Sequence, residues 1–228
     1  GGRASLLISH DRGDSFTEKP VPFCVNGNSP ARSTAERLAR KNGRLYYGTQ
    51  GEGLWRSDDN GDAWEKLSFC EDNIVFVFFP ENSDIMIISC TGETEAKGAD
   101  RAHTLYVSYD MGESFEKLHT PESINDQRCE HNGFVAGSVA SRGSELLIGF
   151  THSYKSNPWG GWNSFACDNG GGFDGRLSRY EISDGRLHFR NDITPVISGF
   201  TDENKLRRLP FGIGGTDFFR DIVIACSS

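Results

Sequence analysis

Ser57-Asp58-Asp59-Asn60-Gly61-Asp62-Ala63-Trp64 is one of three variants of a single eight-residue pattern in this chain. Ser9-His10-Asp11-Arg12-Gly13-Asp14-Ser15-Phe16 precedes it, and Ser108-Tyr109-Asp110-Met111-Gly112-Glu113-Ser114-Phe115 follows it. Each reads Ser-x-Asp-x-Gly-x-(Ser/Ala)-aromatic, with the central aspartates 48 and then 51 residues apart. A period of that length carrying one fixed turn motif marks a repeat architecture. It predicts an all-β fold, a β-propeller of four-stranded blades.

The motif is explained by local physical chemistry. A short apolar strand precedes each copy: Leu6-Leu7-Ile8, Leu54-Trp55 and Leu105-Tyr106-Val107. The Asp side chain accepts hydrogen bonds from backbone amides of the turn that follows. The Gly two residues on takes a positive φ at low cost, and the closing aromatic returns to the apolar layer as the next strand begins. Asp11, Gly13, Asp59, Gly61, Asp110 and Gly112 therefore read as structural, because a repeated hairpin needs them for its own sake. The pattern resembles the Asp-box, or BNR repeat, of sialidases and related β-propellers.

Composition bounds the remaining choices. The 228 residues suffice for a sizeable core. Gly 27, Phe 16, Tyr 6 and Trp 4 describe a turn-rich, strand-rich chain. A net charge of -8 argues against a nucleic-acid partner. No apolar run approaches the roughly 20 residues of a membrane helix; Ile74-Val75-Phe76-Val77-Phe78-Phe79 has the length of a buried strand. Cys24, Cys70, Cys90, Cys129, Cys167 and Cys226 include no Cys-x-x-Cys pair, which removes the usual zinc and thioredoxin readings. The cysteines fit free thiols or disulfides equally. The histidines lack ligand spacing, so neither metal nor cofactor is expected. No Asn-x-Ser/Thr site and no signal peptide occur in the sequence.

The motif sets the phase of the blades. A half blade is expected at 1–22, full blades at 35–69, 73–118 and 134–196, and a second half blade at 209–228. In the third full blade the motif has decayed to Ser183-Asp184-Gly185, and a Gly/aromatic insertion separates Tyr154 from Gly175. Two strands, three full blades and two strands can form part of a wider ring or close as four blades. The partial ring of a seven-bladed propeller is preferred, since blades with this motif belong to wider rings.

A more specific resemblance lies in Glu36-Arg37-Leu38, Leu45-Tyr46-Tyr47-Gly48-Thr49, Gly53-Leu54-Trp55-Arg56-Ser57-Asp58 and Trp64-Glu65-Lys66-Leu67. Ser138-Val139-Ala140-Ser141, Gly172-Phe173-Asp174-Gly175 and Asn191-Asp192-Ile193-Thr194-Pro195 continue it in the same order. The chain resembles the N-terminal propeller of the family 74 glycoside hydrolases, xyloglucan-cleaving enzymes built from two seven-bladed propellers facing each other across a cleft. The resemblance covers nearly the whole chain and implies a segment from about the second to the fifth blade. Such enzymes invert with two aspartates about 6.5–9.5 Å apart. The resemblance places one upstream and one downstream, so no catalytic residue is expected here and the chain alone should be inert. The family's Gly-rich loop departs to Asn28-Ser29-Pro30-Ala31-Arg32-Ser33-Thr34-Ala35, and Gln50 stands where the family has Arg.

Substrate-binding candidates follow from the loops that crowd one face of a propeller. The 154–175 loop carries Trp159, Trp162, Phe165 and Phe173, whose flat faces suit the apolar faces of pyranose rings, with Asp168 and Asp174 to meet hydroxyls. Their alternative is packing onto the propeller or onto a neighbour. Asn26, Asn28 and Arg32 lie in another loop of that face, as do Asp126, Arg128, Glu130 and His131; each fits sugar contact or hydrogen bonding within its own loop. The expected function is that of a segment of a secreted glycoside hydrolase acting on β-glucan chains such as xyloglucan, supplying cleft wall and sugar-binding loops. Its partners would be the polysaccharide, the flanking blades and a second propeller. The alternatives are a non-catalytic propeller binding a glycan or protein, as sortilin-like receptors and assembly factors do, and a sialidase.

Overall fold

The computed structural model describes residues 5–23, 37–49, 51–69, 74–91, 103–119, 131–154, 176–193, 213–219 and 222–227. Every regular element among them is a strand. β1 (Ser5–Ile8) and β2 (Thr17–Pro20) form a two-stranded sheet. A four-stranded sheet follows from β3 (Leu38–Lys41), β4 (Arg44–Gly48), β5 (Leu54–Ser57) and β6 (Glu65–Lys66). The next contains β7 (Ile74–Phe78), β8 (Met86–Thr91), β9 (His103–Ser108) and β10 (Glu116–Lys117). The third contains β11 (His131–Arg142), β12 (Glu145–Tyr154), β13 (Arg176–Ser183) and β14 (Arg186–Asp192). β15 (Ile213–Phe219) and β16 (Ile222–Ser227) pair with each other, and β15 packs against β11 and β12. Each sheet is an antiparallel meander in chain order, and successive sheets stack face to face as an arc of a β-propeller.

The three motif copies close alike. Asp11, Asp59 and Asp110 each accept through Oδ1 from the Ser hydroxyl two residues back, at 2.7, 2.9 and 2.8 Å. Each also accepts, at 2.9 Å, from the backbone N–H four residues on. The same Ser hydroxyl accepts from the Gly N–H at 2.7–2.8 Å. The turn needs two left-handed residues in succession: Gly13, Gly61 and Gly112 follow Arg12, Asn60 and Met111 at φ 62, 56 and 60°. Asn tolerates that region, whereas Arg and Met occupy it at a cost. The sequence pattern marks the glycine and is silent about the residue before it.

These bonds favour the ionised carboxylate. The Ser114 hydroxyl, followed by the Ser114 N–H, holds Asp110 down at about 2. Asp11 is lowered by the equivalent Ser15 hydroxyl and N–H. Asp59 has Ala63 in place of the serine and is lowered chiefly by the Ala63 N–H. A folded-state value below the unfolded one contributes stability above the unfolded value, and that contribution is lost as pH falls through the folded one. Stability from Asp110 is therefore expected at neutral pH and lost from just below pH 4 to about pH 2. Carboxyl titrations by NMR should show the Asp110 midpoint rising in Ser114→Ala and the Asp59 midpoint falling in Ala63→Ser. An unchanged Asp110 midpoint in Ser114→Ala would contradict the assigned cause.

The core lies between sheets. Along β8 Ile87 faces one neighbouring sheet while Met86, Ile88 and Cys90 face the other; all four are buried. A strand covered on both faces reads as a continuous apolar run. One cluster joins Tyr46, Leu54 and Leu67 of the sheet before to Ile74, Val77, Met86 and Ile88. The other joins Phe76, Ile87, Leu105 and Val107 to Leu146, Ile148, Phe150 and Tyr180 of the sheet after. Ile74 and Val77 reach the same side because the register shifts between Ile74 and Phe76, which resets the alternation. In the half blade expected at 209–228, β15 runs through Gly214-Gly215, with a register shift that glycine tolerates.

Candidate ligand-binding end of the sheets

Antiparallel order sorts the connections into two ends. At one end lie the tight turns: Asn42-Gly43, 80–85, Gly143-Ser144 and Asp184-Gly185, together with the three motif turns. Neighbouring turns are laced together there. Asn42 Nδ2 donates to Asp84 at 3.0 Å, Lys41 lies 3.7 Å from the same carboxylate, and the Glu81 N–H donates to the Ser141 hydroxyl at 2.9 Å. The long connections leave from the opposite end: 24–36, 92–102, 120–130, 155–175 and 194–212. In the third full sheet β12 runs on to Tyr154 beside β11, whereas β13 begins opposite Phe150 at Arg176. The aromatic insertion is thus rooted where the β11–β12 ladder extends beyond β13.

Trp159, Trp162, Phe165, Asp168, Phe173 and Asp174 lie outside the described residues, as do Asn26, Asn28, Arg32 and 125–130. His131 opens β11. What the described residues show of this end is its rim around β3, β4 and β5. Thr49, buried, holds the β4–β5 connection: its hydroxyl donates to the Gly53 carbonyl at 2.7 Å and accepts from the Glu52 N–H at 2.9 Å. Gly51 and Gly53 take φ 104 and 79° in that turn. The Ile74 N–H donates to the Thr49 carbonyl at 2.9 Å, tying the turn to the next sheet.

Beside it, Phe23 stacks on Tyr47 with ring centroids 4.9 Å apart and planes 13° apart, and also meets Trp55 at 5.3 Å and Trp64 edge-on at 5.1 Å. Arg37 lies next to Tyr47. Burial lowers the guanidinium from its ordinary value and raises the Tyr47 phenol, so the phenol stays a neutral donor across the physiological range. A half-buried guanidinium and phenol at the lip of a turn are groups that can bond to hydroxyls. No group of three or more His, Cys, Asp or Glu suited to a metal occurs among the described residues. Cys90, at the same end of β8, is disulfide-bonded.

Arg37, Tyr47 and Phe23 were not singled out as site residues from sequence. One available signal was the echo between Phe23, three residues beyond β2, and Phe69, three beyond β6. Another was the Tyr46-Tyr47 pair, in which alternation sends one ring to the core and the other to the preceding sheet.

No family model matches the chain. It is similar to a xyloglucanase of Paenibacillus sp, 35% identical over 128 residues, which are 47% of this chain and 12% of that protein. It is 40% identical over 80 residues to xyloglucanase Xgh74A of Acetivibrio thermocellus, covering 33% of this chain and 10% of the relative. Similarity to a xyloglucanase of Hypocrea jecorina runs over 225 residues at 28% identity, 92% of this chain and 24% of the relative. The chain therefore spans between a tenth and a quarter of the length of these relatives. Among solved structures, the GH74 xyloglucanase from Xanthomonas campestris superposes with a TM-score of 0.62 at 22% identity, over 95% of this chain and 29% of its own. The GH74 enzyme of Niastella koreensis gives 0.52 at 24% identity, over 83% and 26%. These structural likenesses establish the fold.

Proposed function

We propose that this chain is a segment of a secreted glycoside hydrolase acting on β-glucan chains such as xyloglucan, and that it supplies cleft wall and sugar-binding loops. The similarity to the Hypocrea jecorina xyloglucanase over 92% of the chain is the observation that carries the reading. The topology supports it, because the long connections leave from the end opposite the Asp-box turns, where a cleft can form. In this reading the chain comprises half blade 1–22, blades 35–69, 73–118 and 134–196, and half blade 209–228. Trp159, Trp162 and Phe173 stack on sugar rings, while Asp168, Asp174, Arg32 and Asn28 bond to hydroxyls. The general acid and general base of the inverting reaction belong to parts of the polypeptide outside these residues. The Cys90 disulfide fits an oxidising, extracellular setting.

Affinity electrophoresis in gels containing xyloglucan tests the binding, and a reducing-end assay tests the chemistry. Retardation is expected without release of reducing ends. Trp159→Ala with Trp162→Ala should weaken retention about tenfold, since each ring contributes roughly 0.5–1.5 kcal/mol by stacking. Absence of retardation would sink the cleft-wall reading, and turnover by the chain alone would overturn the placement of the catalytic pair.

A further inference from the structure

The flank of β1–β2 facing away from β3–β6 carries an unusual surface. Leu7 and Phe16 are 61% and 60% exposed and, with Leu38, make up the exposed large hydrophobic residues of the described set. The repeat gives each an equivalent in the next two sheets. Counting from the motif serine, Leu7 corresponds to Trp55 and Tyr106, Phe16 to Trp64 and Phe115, and Asp14 to Asp62 and Glu113.

Those equivalents are all engaged, and in the same way. Phe23, three residues beyond β2, meets Trp55 and Trp64 of the following sheet. Phe69, three residues beyond β6, meets Tyr106 edge-on at 4.9 Å and stacks on Phe115 at 3.8 Å. Lys19 of the preceding sheet reaches Asp62 at 2.7 Å, and Arg56 of the preceding sheet reaches Glu113. One interface rule is thus used twice: an aromatic wedge from the preceding sheet onto two aromatic positions, and a cation from the preceding sheet onto the acid after the motif glycine. The third interface departs from it. There His119 meets Phe189 and the cation, Arg186, comes from the following sheet to Glu116, in a turn that has lost the motif. β1–β2 retains the full motif, so the first two interfaces are its precedent. Asp14 has no ion-pair partner among the described residues.

We propose that the Leu7–Phe16–Asp14 face is a docking surface for a further four-stranded sheet of the same repeat, joined in tandem ahead of β1. Its last strand is followed at three residues by an aromatic that covers Leu7 and Phe16, and it carries a Lys or Arg that pairs with Asp14. The proposal rests on the reading of the chain as a segment of a larger propeller and adds the chemistry by which the neighbouring blade is recognised. It also assigns Leu7 and Phe16 to an interior surface that this chain leaves open.

The test is an extended chain in which residues 37–103 are repeated ahead of Ser5. This supplies two strands to β1 and a complete sheet bearing second copies of Arg56 and Phe69. In the 228-residue chain Phe16→Ala should change the unfolding constant in urea by less than about threefold, because the ring is exposed. In the extended chain the same substitution should change it on the order of a hundredfold. Asp14→Lys should be destabilising only in the extended chain, and hydroxyl-radical labelling of Leu7 and Phe16 should fall on extension. Equal effects of Phe16→Ala in the two chains, unchanged labelling, or an extended chain that does not fold would overturn the proposal. A 228-residue chain that sediments as a dimer and becomes monomeric with Phe16→Asp would also overturn it, by making a second copy the occupant. Xyloglucan retention measured alongside separates the two readings. Retention with unchanged labelling sinks the docking face alone, and lost retention with protected Phe16 sinks the cleft-wall role alone.

Discussion

Phe23→Ala is expected to loosen β1–β2 from the rest of the arc and to cost about 3–5 kcal/mol, the usual range for removing a buried aromatic ring. Phe23 is 4% exposed and touches Tyr47, Trp55 and Trp64 together, so its removal leaves three rings facing a void. β1 and β2 pair with each other over four residues, too little to persist without packing. Among the described residues, the polar ties from β2 to the next sheet come from Lys19, which reaches Asp62 and the Asn60 carbonyl. Asp62 is exposed, and such a pair contributes little. Amide exchange should therefore accelerate in residues 5–20 well before it does in β7–β9, with a change in emission from Trp55 and Trp64. Phe23→Leu should retain much of the contact and cost less. If exchange in β1–β2 is unaltered by Phe23→Ala, the wedge does not hold this sheet.

Gly48→Ala is expected to destabilise the junction between the first and second full sheets by roughly 1–3 kcal/mol, and Gly48→Val by more. A Cβ at Gly48 would lie 2.4 Å from Ile74 Cγ2 and 2.9 Å from Ile74 Cβ, well inside contact distance, with Val77 Cγ2 at 3.3 Å. Ile74 cannot yield easily. It is wholly buried, stiff at χ1, and its N–H is bonded to the Thr49 carbonyl at 2.9 Å. Backbone strain is not the cause, since Gly48 is not among the positive-φ residues. Ile74→Ala should itself cost about 2–5 kcal/mol through the cavity it leaves. In the double variant the new methyl partly fills that cavity, so the combined loss should fall below the sum of the two. Additive losses in urea unfolding would show that the clash is relieved elsewhere.

Much of the fold is legible in the chain because each Ser-x-Asp-x-Gly turn is self-contained. The bonds of Asp11, Asp59 and Asp110 reach no further than four residues, so a short string of letters specifies them. The left-handed Arg12 and Met111 were not legible, since nothing in either side chain announces that backbone region. The register of β7 was hidden as well: an unbroken apolar run carries no mark of the shift between Ile74 and Phe76. The cysteines were undecided from spacing, and Cys90 proves disulfide-bonded. The aromatic insertion with Trp159 and Trp162 could be recognised by composition, and the described strands fix the two points, Tyr154 and Arg176, from which it departs. The rim formed by Arg37, Tyr47 and Phe23 was not visible, because Phe23 reaches it from a different sheet.

The amino-acid sequence alone determined the repeat, the all-β class and the hydrogen bonds that the turn carboxylates make within their own hairpins. Each of these depends on residues within a few positions of one another or on strict alternation along a strand. Only the tertiary structure decided which side chains meet between sheets. Lys19 finds Asp62, Arg56 finds Glu113 across 57 residues, the Tyr180 hydroxyl finds the His119 carbonyl, and the Leu187 N–H finds the Tyr109 hydroxyl across 78. These partners are set by how far each sheet is offset from the next when the apolar faces interlock. That offset is a property of close packing over the whole face, and no single segment encodes it.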